Sequence, residues 1–312
     1  MATDSRLAIS KPPSYQNNSM TRPTFFILGA PKTGTTSVAN WLAQNPYVLF
    51  SSIKEPNFFN DDHRNRFCKT LKNYEKLFNG PNKPQCAAIG EASVWYLYSK
   101  TAVRNILSYS PNARFVVMIR NPIEMAHSLH DHMVYWGTEP ITTFRLAWRA
   151  QASRQSGNWV PSCNNEPKQL LYGRVCSVGA QLERLYELIA RDRVHVMVSD
   201  DLKLKPRHEY VRLLEFLDIP DDNRMLFPPL NESKERLSLG FNRIVRLATS
   251  VRDAIGLPIG FGVGELLSNV NRRERLRAPM DATFRSELRE YFRGDVNKLA
   301  QLINRDLSGW LR

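Results

Sequence analysis

The chain has 312 residues, of which 42% are hydrophobic and 23% charged, and it carries a formal net charge of +13. The length suits one large α/β domain or two small ones, and no apolar run approaches the about 20 residues of a membrane helix, so we expect no transmembrane segment. The basic balance favours an anionic partner: a nucleotide, an acidic polysaccharide, a nucleic acid or a membrane surface.

The chain begins with a polar segment. Residues 1–22 contain Pro12 and Pro13 and no apolar core of a signal peptide, so they predict a disordered leader before a single domain over 23–312. The four cysteines are scattered and form no C-x-x-C pair, which indicates neither a zinc site nor a disulfide framework. These features predict a reduced, cytoplasmic protein.

Apolar runs alternate with amphipathic segments along the chain. The predicted strands are Thr24–Leu28, Tyr47–Phe50, a strand within Ala87–Ser93 that ends at Glu91, Arg114–Ile119 and Val194–Ser199. The predicted helices are Thr35–Gln44, Lys100–Ser108, Asn121–Tyr135, Leu170–Ala190 and Arg207–Leu217, whereas residues 136–168 are predicted to be irregular. This alternation predicts an α/β fold with a P-loop-like central parallel sheet flanked by helices.

Charged residues follow the ends of several predicted strands. They are Lys32, Glu55, Glu91, Arg120 and Asp200. Parallel sheets of this kind bind ligands beyond the carboxyl ends of their strands, so we expect these side chains to share one cleft.

The stretch "GAPKTGTTS" joins the first strand to the first helix. Gly29 and Gly34 have the spacing of a triphosphate-binding loop, but Thr35 and Thr36 stand where that loop has Lys and Ser/Thr, and the lysine lies inside the loop as Lys32. Backbone amides and a helix N-terminus at such a loop bind phosphate. The predicted ligands of the phosphate-like group are Pro31, Lys32, Thr33, Gly34, Thr35, Thr36 and Ser37.

A second signal is "VVMIRNPIEMAHSLHDH". Arg120 leaves a strand and Ser128 lies two turns into the following helix, so both can bind the same terminal phosphate. The alternative is a kinase or triphosphatase that uses ATP and magnesium, with Asp200 and Asp201 as the acidic pair after a strand. The displaced lysine argues against this alternative.

"PKTGTTS" together with "RNPIEMAHS" resembles the sulfotransferases that use 3′-phosphoadenosine 5′-phosphosulfate (PAPS). "IKEPNFF" at Ile53–Phe59 resembles the Lys-Glu-x-x-Phe-Phe stretch of the heparan sulfate 3-O-sulfotransferase and N-sulfotransferase-like branch. The segment Leu288–Trp310 resembles the C-terminal segment of the same branch. The resemblance covers roughly Thr24 to Trp310. It implies the sulfotransferase fold, phosphosulfate binding by the first motif, 3′-phosphate binding by Arg120 and Ser128, and Glu55 as the catalytic base.

The transferred sulfuryl group bears a single negative charge, so we expect no metal requirement. Lys32 can then lie against the leaving-group oxygen and stabilise its developing charge, which makes it a catalytic candidate beside Glu55. The predicted acceptor is a hydroxyl of a sugar, glycan or glycolipid. The alternative acceptor is a small-molecule alcohol or natural product.

The acceptor side is predicted to include Lys54, Glu91 and His127. A histidine base also stays open, because His127, His130 and His132 flank Ser128 in the sequence. Where the 3-O branch has Lys-Thr-Pro, this chain has Ala92–Ser93–Val94, so a positive acceptor contact of that branch is missing.

Residues 231–280 are predicted to form a lid or acceptor wall and a basic loop over the 3′-phosphate, to which we assign Arg273. The charge is spread and no recognition helix is evident, so nucleic acid is not an expected partner. We expect a monomer or homodimer, with peripheral membrane contact left open.

Overall fold

A parallel sheet of five strands forms the centre of the protein, in the order β2-β3-β1-β4-β5. The computed structural model describes residues 22–79, 86–228 and 280–312, together with the backbone of two short strands at 234–236 and 272–274. The central strands are β1 (Phe25–Gly29), β2 (Val48–Phe50), β3 (Ala88–Ala92), β4 (Arg114–Ile119) and β5 (Val194–Val198). The predicted α/β fold with a central parallel sheet is confirmed.

Both faces of the sheet are buried. Phe26 and Leu28 of β1 belong to one core cluster, whereas Phe25 and Ile27 belong to another. Successive side chains of a strand point to opposite faces, so a strand covered on both sides is apolar throughout, as the sequence FFILG is.

The helices follow the strands in βαβ order. They are α1 (Thr35–Gln44), α2 (Leu71–Glu75), α3 (Ala102–Tyr109), α4 (Pro122–Tyr135), α5 (Phe144–Gln155), α6 (Tyr172–Cys176), α7 (Val178–Tyr186), α8 (Ser199–Leu204), α9 (Pro206–Phe216) and α10 (Ala282–Leu302). Helices α1 and α9 contribute to the core on one face of the sheet, and α3, α4, α7 and α10 to the core on the other. The predicted bounds of α1 hold, and α4 begins one residue after its predicted start, because Asn121 is the N-cap.

The prediction that residues 136–168 are irregular was wrong, because α5 occupies Phe144–Gln155. Half of its residues are apolar, but Leu146 among them is exposed, so the apolar positions do not mark a single helical face. Burial of Phe144, Ala147 and Trp148 fixes one face, and Arg154 at its end forms a buried ion pair with Glu139. Contacts to other parts of the chain therefore stabilise this helix.

The predicted long helix over 170–190 is instead two helices, α6 and α7, separated at Ser177 (φ −78°, ψ 75°). The carboxylate of Asp295 on α10 accepts hydrogen bonds from the amides of Gly179 and Ala180, each at 2.8 Å. These contacts satisfy free amides at the start of α7, so a distant acidic residue stabilises the break.

Two further strands, β6 (Lys234–Arg236) and β7 (Arg272–Glu274), pair antiparallel. Apart from residue 280, the rest of the predicted lid region over 231–280 lies outside the described residues, as does the predicted leader apart from residue 22. Within the described ranges, no helix is both long enough and apolar enough to cross a membrane. All four cysteines are free thiols.

Candidate active site

The loop between β1 and α1 is a tight turn that leads into the N-terminus of α1. Gly34 adopts φ 99°, which favours glycine, and its carbonyl accepts from the amides of Ser37 and Val38. Thr33 Oγ1 donates to the Ala30 carbonyl at 2.6 Å and tightens the turn. The N-cap residue of α1 is Gly34, which has no side chain to cap the helix, and the first turn contains no acidic residue. A helix N-terminus without acidic side chains favours a phosphate-like ligand.

Two neighbouring strand ends hold the carbonyl side of this loop. Arg120, which follows β4, donates from Nη1 to the Lys32 carbonyl at 3.1 Å. Ser199, which follows β5, donates from Oγ to the Thr33 carbonyl at 2.5 Å. Ser128 lies on α4 and is buried. The structure thus brings Arg120 to the loop, in agreement with the prediction that Arg120 and Lys32 lie in one cleft.

The end of β1 also lies against the segment after β3. A Cβ on Gly29 would lie 2.3 Å from the Val94 carbonyl oxygen, so only glycine permits this approach. The Val94 amide in turn donates to Glu55 Oε2 at 2.8 Å. The loop between β1 and α1 and the Glu55 carboxylate are thereby tied to the same turn.

Glu55 is held in an unusual backbone conformation, with φ 65°. Its amide donates to the Ala92 carbonyl at 2.9 Å, and its Oε1 pairs with the Lys54 ammonium group. The Glu55 side chain keeps 29% of its surface exposed. A carboxylate that is oriented on both oxygens and still accessible can take a proton from a bound molecule.

His132 lies in the same region. Burial, and then the positive charges of Lys32 and Lys54, lower the pKa of His132 to about 3. The imidazole is therefore neutral at physiological pH, and the shift indicates that both lysines lie near it. The sequence did not single out His132 among the three histidines, although its i, i+4 spacing from Ser128 places both on one face of α4.

The other two histidines face different partners. His127 stacks on Phe144 with ring centroids 5.1 Å apart and an interplanar angle of 7°. His130 is buried, and its Nε2 lies 2.8 Å from the Ile141 carbonyl oxygen. Both rings thus pack against α5 and the loop before it, so the predicted acceptor contact of His127 gains no support from this packing.

The sequence predicted that Glu91 lies beyond the end of its strand. The structure instead places Glu91 within β3, where it is fully buried. It accepts hydrogen bonds from Tyr74 Oη at 3.0 Å and Ser93 Oγ at 3.1 Å. Burial raises the pKa of Glu91 to about 8 despite these hydrogen bonds. The structure therefore places Glu91 behind the site, where a bound acceptor does not reach it.

Residues 22–231 match the family described as the sulfotransferase domain. The chain belongs to the sulfotransferase family. The family match confirms the predicted enzyme class, and it spans the loop, Glu55, Arg120 and Ser128.

Curated relatives of this sulfotransferase are distant. Over 295 residues it is 25% identical to the bifunctional heparan sulfate N-deacetylase/N-sulfotransferase 1 of Caenorhabditis briggsae, covering 90% of this chain and 31% of that protein. Over 114 residues it is 26% identical to the membrane-associated sulfotransferase kil1 of Dictyostelium discoideum, covering 36% of this chain and 24% of that protein. The chain thus spans at most about a third of the length of these relatives.

A solved structure shows the same fold. The sulfotransferase of Alicyclobacillus acidocaldarius superposes with a TM-score of 0.70 at 24% identity, covering 94% of this chain and 100% of that chain. The predicted sulfotransferase fold is therefore confirmed.

The acidic pair of the kinase alternative is engaged elsewhere in this sulfotransferase. Asp200 accepts from Trp310 Nε1 at 3.3 Å, and Asp201 forms a two-pronged ion pair with Arg305. Both carboxylates thus bind the C-terminal segment. Across the described ranges, no group of three or more His, Cys, Asp or Glu side chains could hold a metal ion.

The predicted 3′-phosphate contact of Arg273 falls in β7, of which only the backbone is described. Arg273 is paired with Glu235 of β6 in the backbone register. The assignment of this side chain to the nucleotide stays a prediction.

Proposed function

We propose that this sulfotransferase moves the sulfuryl group of PAPS to a hydroxyl of a sugar, glycan or glycolipid. One observation carries the proposal: the loop that contains Lys32 and the Lys54–Glu55 pair meet in one region. Gly29, at the start of the loop, lies against Val94, and the Val94 amide donates a hydrogen bond to Glu55. An anion site beside an accessible, oriented carboxylate is what in-line transfer from a phosphosulfate requires.

The residues of the loop suit the donor. The uncapped start of α1 would receive the 5′-phosphosulfate through its amides and the hydroxyls of Thr35, Thr36 and Ser37, next to Pro31. Arg120 and Ser128 would bind the 3′-phosphate, since Arg120 follows the strand beside the loop and Ser128 lies on the next helix.

In the proposed reaction, Glu55 takes the proton of the acceptor hydroxyl while the acceptor oxygen attacks sulfur. The new bond joins the acceptor oxygen to sulfur, and the bond from sulfur to the bridging phosphate oxygen breaks. Adenosine 3′,5′-bisphosphate (PAP) leaves, and Lys32 stabilises the negative charge on its 5′-phosphate. A histidine base is less suited, because a pKa of about 3 makes His132 a poor proton acceptor.

The sugar or glycan acceptor is supported by the heparan sulfate enzymes among the relatives. Because this chain lacks the Lys-Thr-Pro of the 3-O branch, a small-molecule alcohol is the second candidate for the acceptor. Ala92, at the position of that lysine, is buried in β3, so this chain offers no cationic acceptor contact there.

Thermal unfolding with nucleotides tests the donor. PAP should raise the melting temperature of the whole chain, whereas ATP with magnesium should not, since ligands stabilise the state that they bind. Stabilisation by ATP with magnesium alone would instead support a kinase. A screen of sugar, glycan and small alcohol acceptors with labelled PAPS then identifies the acceptor class.

A further inference from the structure

We propose that Glu91 is a positioning residue that holds the segment Glu55–Phe59, and with it the Glu55 carboxylate, through the hydroxyls of Ser93 and Tyr96. The inference rests on the proposed role of Glu55. It assigns a task to a buried carboxylate that touches no ligand.

The inner half of this network converges on one carboxyl group. Tyr74 Oη donates to Glu91 Oε1 at 3.0 Å, and Ser93 Oγ donates to Glu91 Oε2 at 3.1 Å. Tyr96 lies near the same carboxyl group, because burial and then the charge of Glu91 raise the pKa of the Tyr96 hydroxyl. Glu91, Ser93, Tyr74 and Tyr96 are all fully buried, so water does not replace these bonds.

The outer half reaches the segment that carries Glu55. The Asn57 amide donates to Ser93 Oγ at 3.1 Å. The amides of Phe58 and Phe59 donate to Tyr96 Oη at 3.0 and 3.4 Å. Three consecutive backbone amides therefore end on two hydroxyls: that of Ser93, which Glu91 binds directly, and that of Tyr96, which lies near Glu91.

This segment needs such support because its backbone is strained. Glu55 adopts φ 65° and Asn57 φ 48°, in the left-handed region that non-glycine residues rarely occupy. Such conformations persist only where the surroundings impose them. No regular strand or helix supplies partners for the amides at 57–59, so the hydroxyls satisfy them instead.

A carboxyl group suits this task better than an apolar side chain. Its two oxygens can accept several hydrogen bonds at once, and each hydroxyl can donate inward while it accepts an amide from outside. Removal of either hydroxyl would leave a buried amide without its partner and free the segment to move.

The test compares Tyr96→Phe and Ser93→Ala with Tyr109→Phe in the full chain. Tyr109 is a matched control, because it lies in the same aromatic cluster and its hydroxyl bonds Glu75 instead of the segment. Three quantities are measured: hydrogen exchange at Asn57 and Phe58, the Kd of PAP, and sulfuryl transfer from labelled PAPS to desulfated heparan sulfate or to water.

We expect faster exchange at Asn57 in Ser93→Ala and at Phe58 in Tyr96→Phe, together with a turnover lower by about ten- to 100-fold. The Kd of PAP should stay within about twofold of the wild type, because the loop does not depend on these hydroxyls, and Tyr109→Phe should change neither turnover nor exchange. If Ser93→Ala does not fold, Tyr96→Phe decides the test alone.

Unchanged turnover with faster exchange would overturn the positioning role, as would an equal loss of turnover in Tyr109→Phe. Failure of the proposed function looks different: the wild type itself would neither bind PAP nor transfer sulfuryl. That outcome would overturn the catalytic part of the inference, whatever the exchange rates.

Discussion

The backbone amide of Val94 donates a hydrogen bond to Glu55 Oε2 at 2.8 Å, so the turn after β3 aims the carboxylate that follows β2. The same Val94 lies against Gly29, where the loop between β1 and α1 begins. The position of Glu55 relative to the loop thus depends on neighbouring strands that are distant in sequence.

Glu55→Gln should lower turnover by about 10²–10⁴-fold, because the amide cannot take the proton of the acceptor. The amide oxygen can still accept from Val94, so the Kd of PAP should stay near the wild-type value. Transfer from labelled PAPS and calorimetric titration with PAP check the two parts. Glu183→Gln, which changes a surface carboxylate paired with Lys298, is the control. Full activity in Glu55→Gln would move the base to a histidine.

Arg120→Ala should weaken PAP binding by roughly 2–5 kcal/mol if its phosphate contact is buried. The loss should be larger for PAP than for AMP, which lacks the 3′-phosphate, since the bond from Arg120 to the Lys32 carbonyl affects both ligands. Calorimetric titration with each nucleotide gives the difference. Arg149→Ala, at an exposed pair with Glu287, should change neither affinity. Equal losses for PAP and AMP would contradict the assignment.

Arg154→Met should lower the free energy of unfolding by about 3–5 kcal/mol, because it leaves Glu139 buried without its charge partner. Arg154 donates to Glu139 at 2.6 and 2.8 Å, and Tyr172 donates to the same carboxylate at 2.8 Å. Arg149→Met removes an exposed pair of the same kind and should cost at most about 1 kcal/mol. Denaturant titration of both variants measures the two losses in the free energy of unfolding. Equal losses would contradict the prediction.

Glu91→Gln should remove a pH dependence of stability. The pKa of Glu91 is raised from its ordinary 4.5 to about 8 by burial, so the folded state binds the proton more tightly than the unfolded state between these values. The contribution of Glu91 to the free energy of unfolding therefore falls as pH rises from about 4.5 to about 8, with a slope of up to about 1.4 kcal/mol per pH unit. Unfolding of both proteins at several pH values gives the difference, and parallel curves would refute the shift.

Much of the fold could be predicted from periodicity and capping. The bounds of β4 match the prediction, and the helix predicted to start at Asn121 begins at Pro122, with the Asn121 side chain as its cap. The break at Ser177 could not be predicted, because the residue that stabilises it, Asp295, lies on α10. Helix α5 was missed because its buried face is short and its main polar anchor, Glu139, precedes it by more than a turn.

The sequence by itself predicted an anion-binding loop, with Lys32 displaced into it, and a phosphate-binding Arg120–Ser128 pair, because such motifs are local and their spacing carries the chemistry. Only the tertiary structure decided the place of Glu91, since a strand buried on both faces carries no sign of which side chains point inward. It likewise separated His132 from His127 and His130, because burial and the charges of Lys32 and Lys54 arise from contacts between distant segments.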